Sequence, residues 1–177
     1  MFRPQFSFLR RFRADDDGSM VVPIALWMPI FLLLIISSIE LGTITVRSTV
    51  LERALDQTVR DVKLGTGPNT HAQMKEAICN RAQILPSCME TLHLEMVVLD
   101  VRDWTDPPEG VDCYDNSLPV TPQRNFQNGK GGEMMFLRAC YKFKPLTLIS
   151  SFNAALPKDD AGYVGLVAMN AFVNEPS

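Results

Sequence analysis

The sequence predicts an α+β protein in which a long N-terminal helix precedes a small antiparallel-sheet domain. Near the N-terminus, an uncharged apolar run is long enough to span a membrane. The helical repeat of apolar residues continues beyond this run, which indicates an amphipathic stalk. Three later segments are typical of strands. We therefore divide the chain into a leader, residues 1–18, a transmembrane and stalk helix, residues 19–63, and a periplasmic or extracellular α+β domain, residues 64–177.

The apolar run extends from Met20 to Ile39 without a charged residue. At about 1.5 Å of rise per residue, a helix of this length crosses the roughly 30 Å hydrocarbon layer of a bilayer. A secretory signal is the competing interpretation, since arginines make the leader basic. The apolar core of such a signal is usually about 7–15 residues long and ends at a small-x-small cleavage site. Here the run ends in Ser-Ser-Ile-Glu, which favours a helix that stays in the membrane.

Apolar residues continue at helical spacing after the membrane run, with charged residues on the other side. The apolar positions are Ile44, Leu51, Leu55, Val59 and Val62. The sequence LGTGPN then supplies a glycine stop and a proline, so the helix should end near Lys63. Such a helix would be about 65 Å long. Its second half can project as a stalk, pack against its own domain, or do both.

The remaining chain reads as one small α+β domain. We predict a helix at residues 71–85, ending before Pro86, and a loop at residues 102–132, which contains four prolines. Strands are predicted at residues 92–101, 134–144 and 162–173. An antiparallel sheet packed against the stalk is the simplest architecture for these elements.

The four cysteines all lie after the apolar run and predict disulfides in an oxidising compartment. Four cysteines allow three pairings. We favour Cys79 with Cys88, which bracket a short loop, and Cys113 with Cys140. Arginines in the leader place the N-terminus in the cytoplasm, although Arg47 and Arg53 follow the run on its other side and weaken this bias. Together these features predict a cytoplasmic N-terminus and an exported C-terminal domain.

Composition and motifs argue against several functions. The net charge of -3 gives no basic surface for nucleic acid. No metal or cofactor is expected, because the chain has no C-x-x-C and its two histidines, His71 and His93, lack ligand spacing. The NGKGG sequence at residues 128–132 precedes a strand and lacks the order of a phosphate-binding loop, so a flexible hairpin tip is the better interpretation.

No catalytic arrangement is apparent, and we do not expect an enzyme. His93 lies on a predicted half-buried strand without a serine or cysteine partner. The remaining candidates are carboxylates that we expect to be solvated charges, namely Glu90, Glu95, Asp159 and Asp160.

A basic leader that ends in glycine, a small residue and then an apolar helix resembles a type IV prepilin. In that family a membrane aspartyl peptidase cuts after the glycine at the cytoplasmic face, and the corresponding bond here is Gly18–Ser19. Glycine suits an extended backbone beside a helix start, and three preceding aspartates keep the bond hydrated. The more specific resemblance is to the TadE/TadF-like pseudopilins of the tight-adherence (Flp) type IVb pilus system. It rests on the segments RADDDGS, LWMPIFLLL and ACYKFKPL.

One position departs from the family pattern. The family usually carries a glutamate five residues after the cleaved bond, where it neutralises the N-terminal amine of a neighbouring subunit. In this chain that position is Pro23, and the next acidic residue is Glu40. The resemblance therefore implies a minor subunit, at a tip or in an assembly complex, rather than an abundant stacked one.

The resemblance implies a minor pseudopilin or pilus assembly component, single-pass in the inner membrane. Its expected partners are a prepilin peptidase, other pilins or pseudopilins, the inner-membrane assembly platform and the lipid bilayer. The alternative is a single-pass membrane-anchored periplasmic binding or accessory protein unrelated to pili. Neighbouring genes for a secretion ATPase, a polytopic platform protein and a prepilin peptidase would favour the first function.

Overall fold

The computed structural model describes residues 20–100, 102–103, 126–127, 129–145 and 155–175. Within these ranges, three helices precede three strands, and the predicted α+β class is confirmed. The predicted leader and Ser19 lie outside the described residues. In chain order the elements are α1 (Val21–Lys63), α2 (His71–Arg81), α3 (Cys88–Thr91), β1 (Leu92–Leu99), β2 (Met134–Phe143) and β3 (Val164–Val173).

Helix α1 is a single helix of 43 residues, close to the predicted length. Pro23 lies in its first turn, where backbone N–H groups have no intrahelical partner, so the missing donor costs little. Pro29 lies inside the helix, which nevertheless continues on both sides. The most hydrophobic stretch of the apolar first half has a mean hydropathy of 2.4, and none of this stretch is buried by the rest of the protein. Among the described helices, α1 is the one long and apolar enough to cross a membrane.

The second half of α1 packs against the domain of its own chain. Its buried residues recur at helical spacing and face the sheet and α2: Leu51, Ala54, Leu55, Thr58 and Val59. The helix ends where Gly65 adopts a positive φ of 69°. A Cβ atom on Gly67 would lie 2.5 Å from the backbone nitrogen of Val62, so glycine is needed for the chain to turn back closely. The stalk is therefore part of the domain core.

The sheet has the strand order β1-β2-β3, and both strand pairs are antiparallel. Its register places Leu94, Ala139 and Ala168 in one row across the three strands. All three residues belong to or pack on the hydrophobic core that α1 and α2 also enter. The small alanine side chains in this row let the sheet approach the helices closely. The sheet packs on the stalk, as predicted.

Helix α2 is shorter than predicted, because it ends at Arg81 and not near residue 85. Thr70 caps its start by accepting a hydrogen bond from the Gln73 N–H. The chain must reverse after the helix because Cys79 is bonded to Cys88, with 5.7 Å between their Cα atoms. Ser87, with a left-handed φ of 51°, then leads into α3, a one-turn helix that the sequence did not predict.

Arg81 fixes the end of α2 to the stalk. Its guanidinium donates a 2.6 Å hydrogen bond to the Thr58 hydroxyl and forms an ion pair with Asp61. Thr58 is fully buried and donates to the Ala54 carbonyl in turn. This polar contact joins α2 to the helix that carries the apolar run.

All three strands are shorter than predicted, and turns account for the two larger differences. The Asp100 carboxylate accepts hydrogen bonds from the N–H groups of Arg102 and Asp103, which ends β1 at Leu99. Gly162, with a φ of 79°, delays the start of β3 to Val164. Strand β2 ends at Phe143, one residue before its predicted end.

The turn before β3 is built on Asp159. Its carboxylate accepts hydrogen bonds from the N–H groups of Ala161 and Tyr163, and the Asp159 N–H donates to the Tyr163 carbonyl. Lys142 of β2 forms an ion pair with the same carboxylate at 3.7 Å, and the two side chains are only 4% and 1% exposed. The expectation that Asp159 is a solvated charge is therefore wrong.

The other three carboxylates differ in their surroundings. Glu95 pairs with Arg138 across the β1–β2 ladder at 3.3 Å, so it too is more than a solvated charge. Glu90 and Asp160 are exposed, as expected. The difference follows from strand register, which brings Arg138 and Lys142 to positions that the sequence alone does not connect with these acids.

We expect Asp159→Asn to lower the free energy of unfolding by roughly 3 kcal/mol, because it breaks a buried ion pair. Asp160→Asn is the matched control, since it removes the neighbouring charge from an exposed side chain. Chemical denaturation of both variants measures the difference. Equal stability of the two variants would contradict a structural role for the Lys142–Asp159 pair.

Candidate functional site: the start of the apolar helix and the disulfide-linked domain

The first turn of α1 carries no acidic residue and no side-chain cap. The predicted cleavage bond, Gly18–Ser19, lies outside the described residues, which begin at Met20. Pro23 is exposed on the helix surface. The positive end of the helix dipole therefore has no carboxylate partner within its first turn. An N-terminal amine close to this end would add to the positive charge.

The apolar surface of α1 is larger than a soluble domain normally exposes. Large side chains are exposed on all sides of the helix, including Trp27, Phe31 and Leu34. No part of the most hydrophobic window is buried by the domain. A helix that is apolar on every side requires lipid or other apolar helices around it. The surface therefore fits a single-pass membrane anchor.

Glu40 is the first charged residue after the apolar run, and it is only 2% exposed. It marks the point where α1 leaves its fully exposed stretch. Residues 41–50 are exposed or half-buried, and buried residues recur from Leu51 onward. The change from the exposed half of α1 to the half packed on the domain therefore begins at the end of the apolar sequence and extends over about three turns.

The Cys79–Cys88 disulfide is present as predicted. It joins the last turn of α2 to the first residue of α3, and both cysteines are buried. Cys140, in the second half of β2, is also disulfide-bonded. Its predicted partner, Cys113, lies outside the described residues. Bridges at both α2 and β2 are typical of a domain that folds in an oxidising compartment.

Tyr141 connects the sheet to the disulfide-closed loop. Its hydroxyl donates a 2.9 Å hydrogen bond to the Pro86 carbonyl, and its ring stacks on Phe143. Burial raises the pKa of Tyr141, whereas the positive charge of Arg47 acts in the opposite direction. The phenol is therefore a structural donor at physiological pH.

The two histidines are separated and have different surroundings. His71 lies at the start of α2. Its ring and the Phe126 ring meet edge-to-face, with 5.2 Å between the two ring centroids. Desolvation, followed by the charge of Lys75, lowers the pKa of His71, and a hydrogen bond to the Leu94 backbone opposes this shift. His93 lies on β1, opposite Cys140. Within the described ranges, no three His, Cys, Asp or Glu side chains form a metal-binding group.

The glycine-rich sequence before β2 forms a turn, as far as its described residues show. The Gly132 N–H donates to the Asn174 carbonyl, and the Lys130 N–H donates to the Glu133 carboxylate. Gly132 has a φ of 85°. The segment leads into a strand and lies beside the end of β3, so its N–H groups do not stand at a helix start as a phosphate site would require.

Sequence reasoning missed the cation–aromatic contacts at one end of the sheet. The Arg47 guanidinium lies 4.8 Å from the centroid of the Phe143 ring, and the Lys144 ammonium lies 4.9 Å from that of Tyr163. The alternation of lysine with aromatic residues in YKFK was a possible signal. The partners, however, are far apart in sequence, and only the strand register brings them together.

Comparison of the chain with protein-family models, with curated proteins and with solved structures found no match.

Non-reducing peptide mapping of the protein from its native membrane should find Cys79 joined to Cys88 and Cys113 joined to Cys140. Replacing both Cys79 and Cys88 with alanine should lower the free energy of unfolding by roughly 2.5 kcal/mol, the chain-entropy value for so short a loop. Denaturant titration of the double variant measures this change. Free thiols at these positions in the native protein would contradict both the bridges and an exported domain.

Proposed function

We propose that this chain is a minor pseudopilin or pilus assembly component of a tight-adherence (Flp) type IVb pilus system. The observation that carries the proposal is the division of α1 into two halves with different surroundings. The first half is apolar and exposed, and the second half is part of the domain core. A subunit that moves from a bilayer into an assembly of apolar helices needs an exposed apolar half, and it needs its domain attached to the other half of the same helix.

The rigid attachment of the domain supports the proposal. No linker separates the apolar run from the domain, because the helix continues without interruption from Val21 to Lys63. The domain is held on this helix by the core, by Arg81 and by a 2.6 Å hydrogen bond from Asn170 to Asp56. Movement of the apolar helix would therefore move the whole domain, as assembly of a filament requires.

The start of α1 supports a minor role in particular. A glutamate at the position of Pro23 would lie in the first turn, close to the N-terminal amine of a neighbouring subunit. This chain has no acidic residue in that turn. An apolar surrounding makes an unpaired amine costly, so repeated stacking of identical subunits is disfavoured. A subunit present in one or a few copies avoids repeating this cost.

We further propose that the protein spans the inner membrane once, with its N-terminus in the cytoplasm and its domain in the periplasm or outside the cell. The support is the pair of disulfide-bonded positions in the domain, since bridges persist in oxidising compartments. Processing would occur at Gly18–Ser19, with the prepilin peptidase, other pilins or pseudopilins, and the assembly platform as partners.

The second candidate is a single-pass membrane-anchored periplasmic binding or accessory protein unrelated to pili. The exposed apolar half of α1 is compatible with this function too, because a lipid-embedded anchor needs no neighbouring subunits. The two candidates differ in the fate of the leader. An accessory protein has no need of a cut at Gly18, whereas a pseudopilin must be cut there.

The mature protein should begin at Ser19 in cells that contain the prepilin peptidase, and Gly18→Val should retain the full leader. Valine should block the cut because its side chain fills the space beside the cleaved bond that glycine, which has no Cβ, leaves open. Intact-mass measurement of the purified protein decides between the two forms.

The matched control is Gly42→Val, which makes the same change at an exposed helical glycine with no atom within 4 Å of the added Cβ. This variant should be cut normally. A wild-type protein that still begins at Met1 would refute the pseudopilin proposal and favour the accessory protein.

Pro23→Glu should preserve cleavage and raise the amount of this subunit in sheared filaments. The new carboxylate would lie at the positive end of α1 and pair with an N-terminal amine. Pro23→Gln is the control, because it restores the backbone donor without adding charge. Quantitative immunoblotting of filament fractions gives the comparison. Equal amounts of the Glu and Gln variants would contradict a charge-based explanation.

A further inference from the structure

One end of the sheet lies close to the point where α1 leaves its apolar stretch. The contact between Arg47 of α1 and Phe143, the last residue of β2, fixes this end. The hydrogen bond between Asp56 and Asn170 joins later positions of α1 and β3. Strand β3 therefore runs in the same direction as α1, away from the apolar run. Strand β2 runs towards it.

The height of this end above a bilayer follows from helix geometry. Arg47 comes seven residues after Glu40. At about 1.5 Å per residue, this corresponds to roughly 10 Å along the helix axis. The headgroup layer outside the hydrocarbon is itself about 5–7 Å thick on each side. If α1 spans the membrane through its apolar run, the end of β2 stands at the outer edge of the headgroups.

Two exposed lysines occupy this end of the domain, and we name them the juxtamembrane lysine pair, Lys144 and Lys158. Lys144 directly follows β2, and its ammonium is held over the Tyr163 ring. This contact uses the face of the ring and leaves the N–H donors of the exposed ammonium available for anions. Lys158 lies in the turn that precedes β3.

The turn that carries Lys158 is held rigidly. The adjacent residue, Asp159, makes four hydrogen bonds within the turn and pairs with buried Lys142. Because the turn is bonded to β2 through Lys142, Lys158 has a defined height relative to Lys144. The buried ion pair thus has a positional consequence in addition to its contribution to stability.

Among the described residues, the exposed and half-buried side chains at this end are positive overall. The Lys142 and Asp159 charges are paired and buried. Two exposed carboxylates remain: Asp160 lies in the same turn, and Glu90 lies in α3, which directly precedes β1 and so stands beside the end of β2. The lysine pair and the half-buried Arg47 outnumber these carboxylates by three charges to two.

We propose that the juxtamembrane lysine pair binds the headgroups of anionic phospholipids and so docks the domain on the membrane surface. Charge complementarity supports this occupant, because the lysines lie within about one Debye length, roughly 8 Å, of the headgroup layer. The inference goes beyond the proposed function. It requires only that α1 spans a membrane, and it holds whether or not the leader is cut.

Hydrogen–deuterium exchange on the full chain in lipid nanodiscs tests the proposal. One set of discs contains phosphatidylcholine alone, and the other contains phosphatidylcholine with phosphatidylglycerol. Amides at residues 155–163 should exchange roughly fivefold more slowly in the anionic discs, which is the factor that one lysine near an anionic surface contributes. The difference should disappear at high salt, because exposed charges are then screened.

The double variant Lys144→Gln/Lys158→Gln should abolish the lipid-dependent difference, and Lys144→Arg/Lys158→Arg should keep it. The matched control is Lys63→Gln/Lys130→Gln, which makes the same charge change with exposed lysines at the far end of the domain. It should leave the difference intact. Thermal melting of every variant in phosphatidylcholine discs checks that the fold is retained.

Three results would overturn the proposal. One is equal exchange in the two lipid compositions, and another is a difference that survives the Lys144→Gln/Lys158→Gln change. The third is protection that depends on the number of chains per disc and not on lipid charge, which would make a second copy of this chain the occupant. None of these results bears on cleavage at Gly18, so failure of this proposal and failure of the pseudopilin proposal are distinguishable.

Discussion

The continuity of α1 is the constraint on which the rest of the structure depends. One helix of 43 residues is exposed and apolar in its first half and buried on one side in its second half. Helical backbone satisfies its own hydrogen bonds in either surrounding, so the change of surroundings requires no break in the chain. The domain therefore packs around a helix whose axis continues that of the apolar run.

The domain is small and relies on specific links to hold this arrangement. Three links between side chains hold its helices, strands and turns together. The Cys79–Cys88 bridge closes the chain after α2, Arg81 joins α2 to the stalk, and Lys142 joins β2 to the turn before β3. Each link removes a degree of freedom that a core of this size would control poorly by hydrophobic burial alone.

The sequence predicted those features that depend on local pattern. Periodicity and length predicted α1, and the density of β-branched and apolar residues predicted three strands to within two residues of most ends. The short loop between Cys79 and Cys88 predicted their bridge. Features that depend on register were missed. Asp159 looks like a solvated charge until β2 brings Lys142 beside it, and the YKFK pattern does not indicate that the partner of Lys144 is Tyr163. The early end of α2 was missed for a different reason. The predicted bridge between Cys79 and Cys88, nine residues apart, makes the chain reverse soon after Arg81, and this consequence was not carried into the prediction of the helix end.

Because the domain is fixed on α1, a membrane around the apolar run would also fix the height of the domain above it. A domain on a flexible linker can reach partners over a range of distances, whereas this one can meet them only at the level set by the helix. Rotation of α1 about its own axis remains free in a bilayer, but tilt would press one side of the domain into the headgroups. The same rigidity means that extraction of the helix into any assembly would carry the domain outward by the same distance, because no segment between them can absorb the movement.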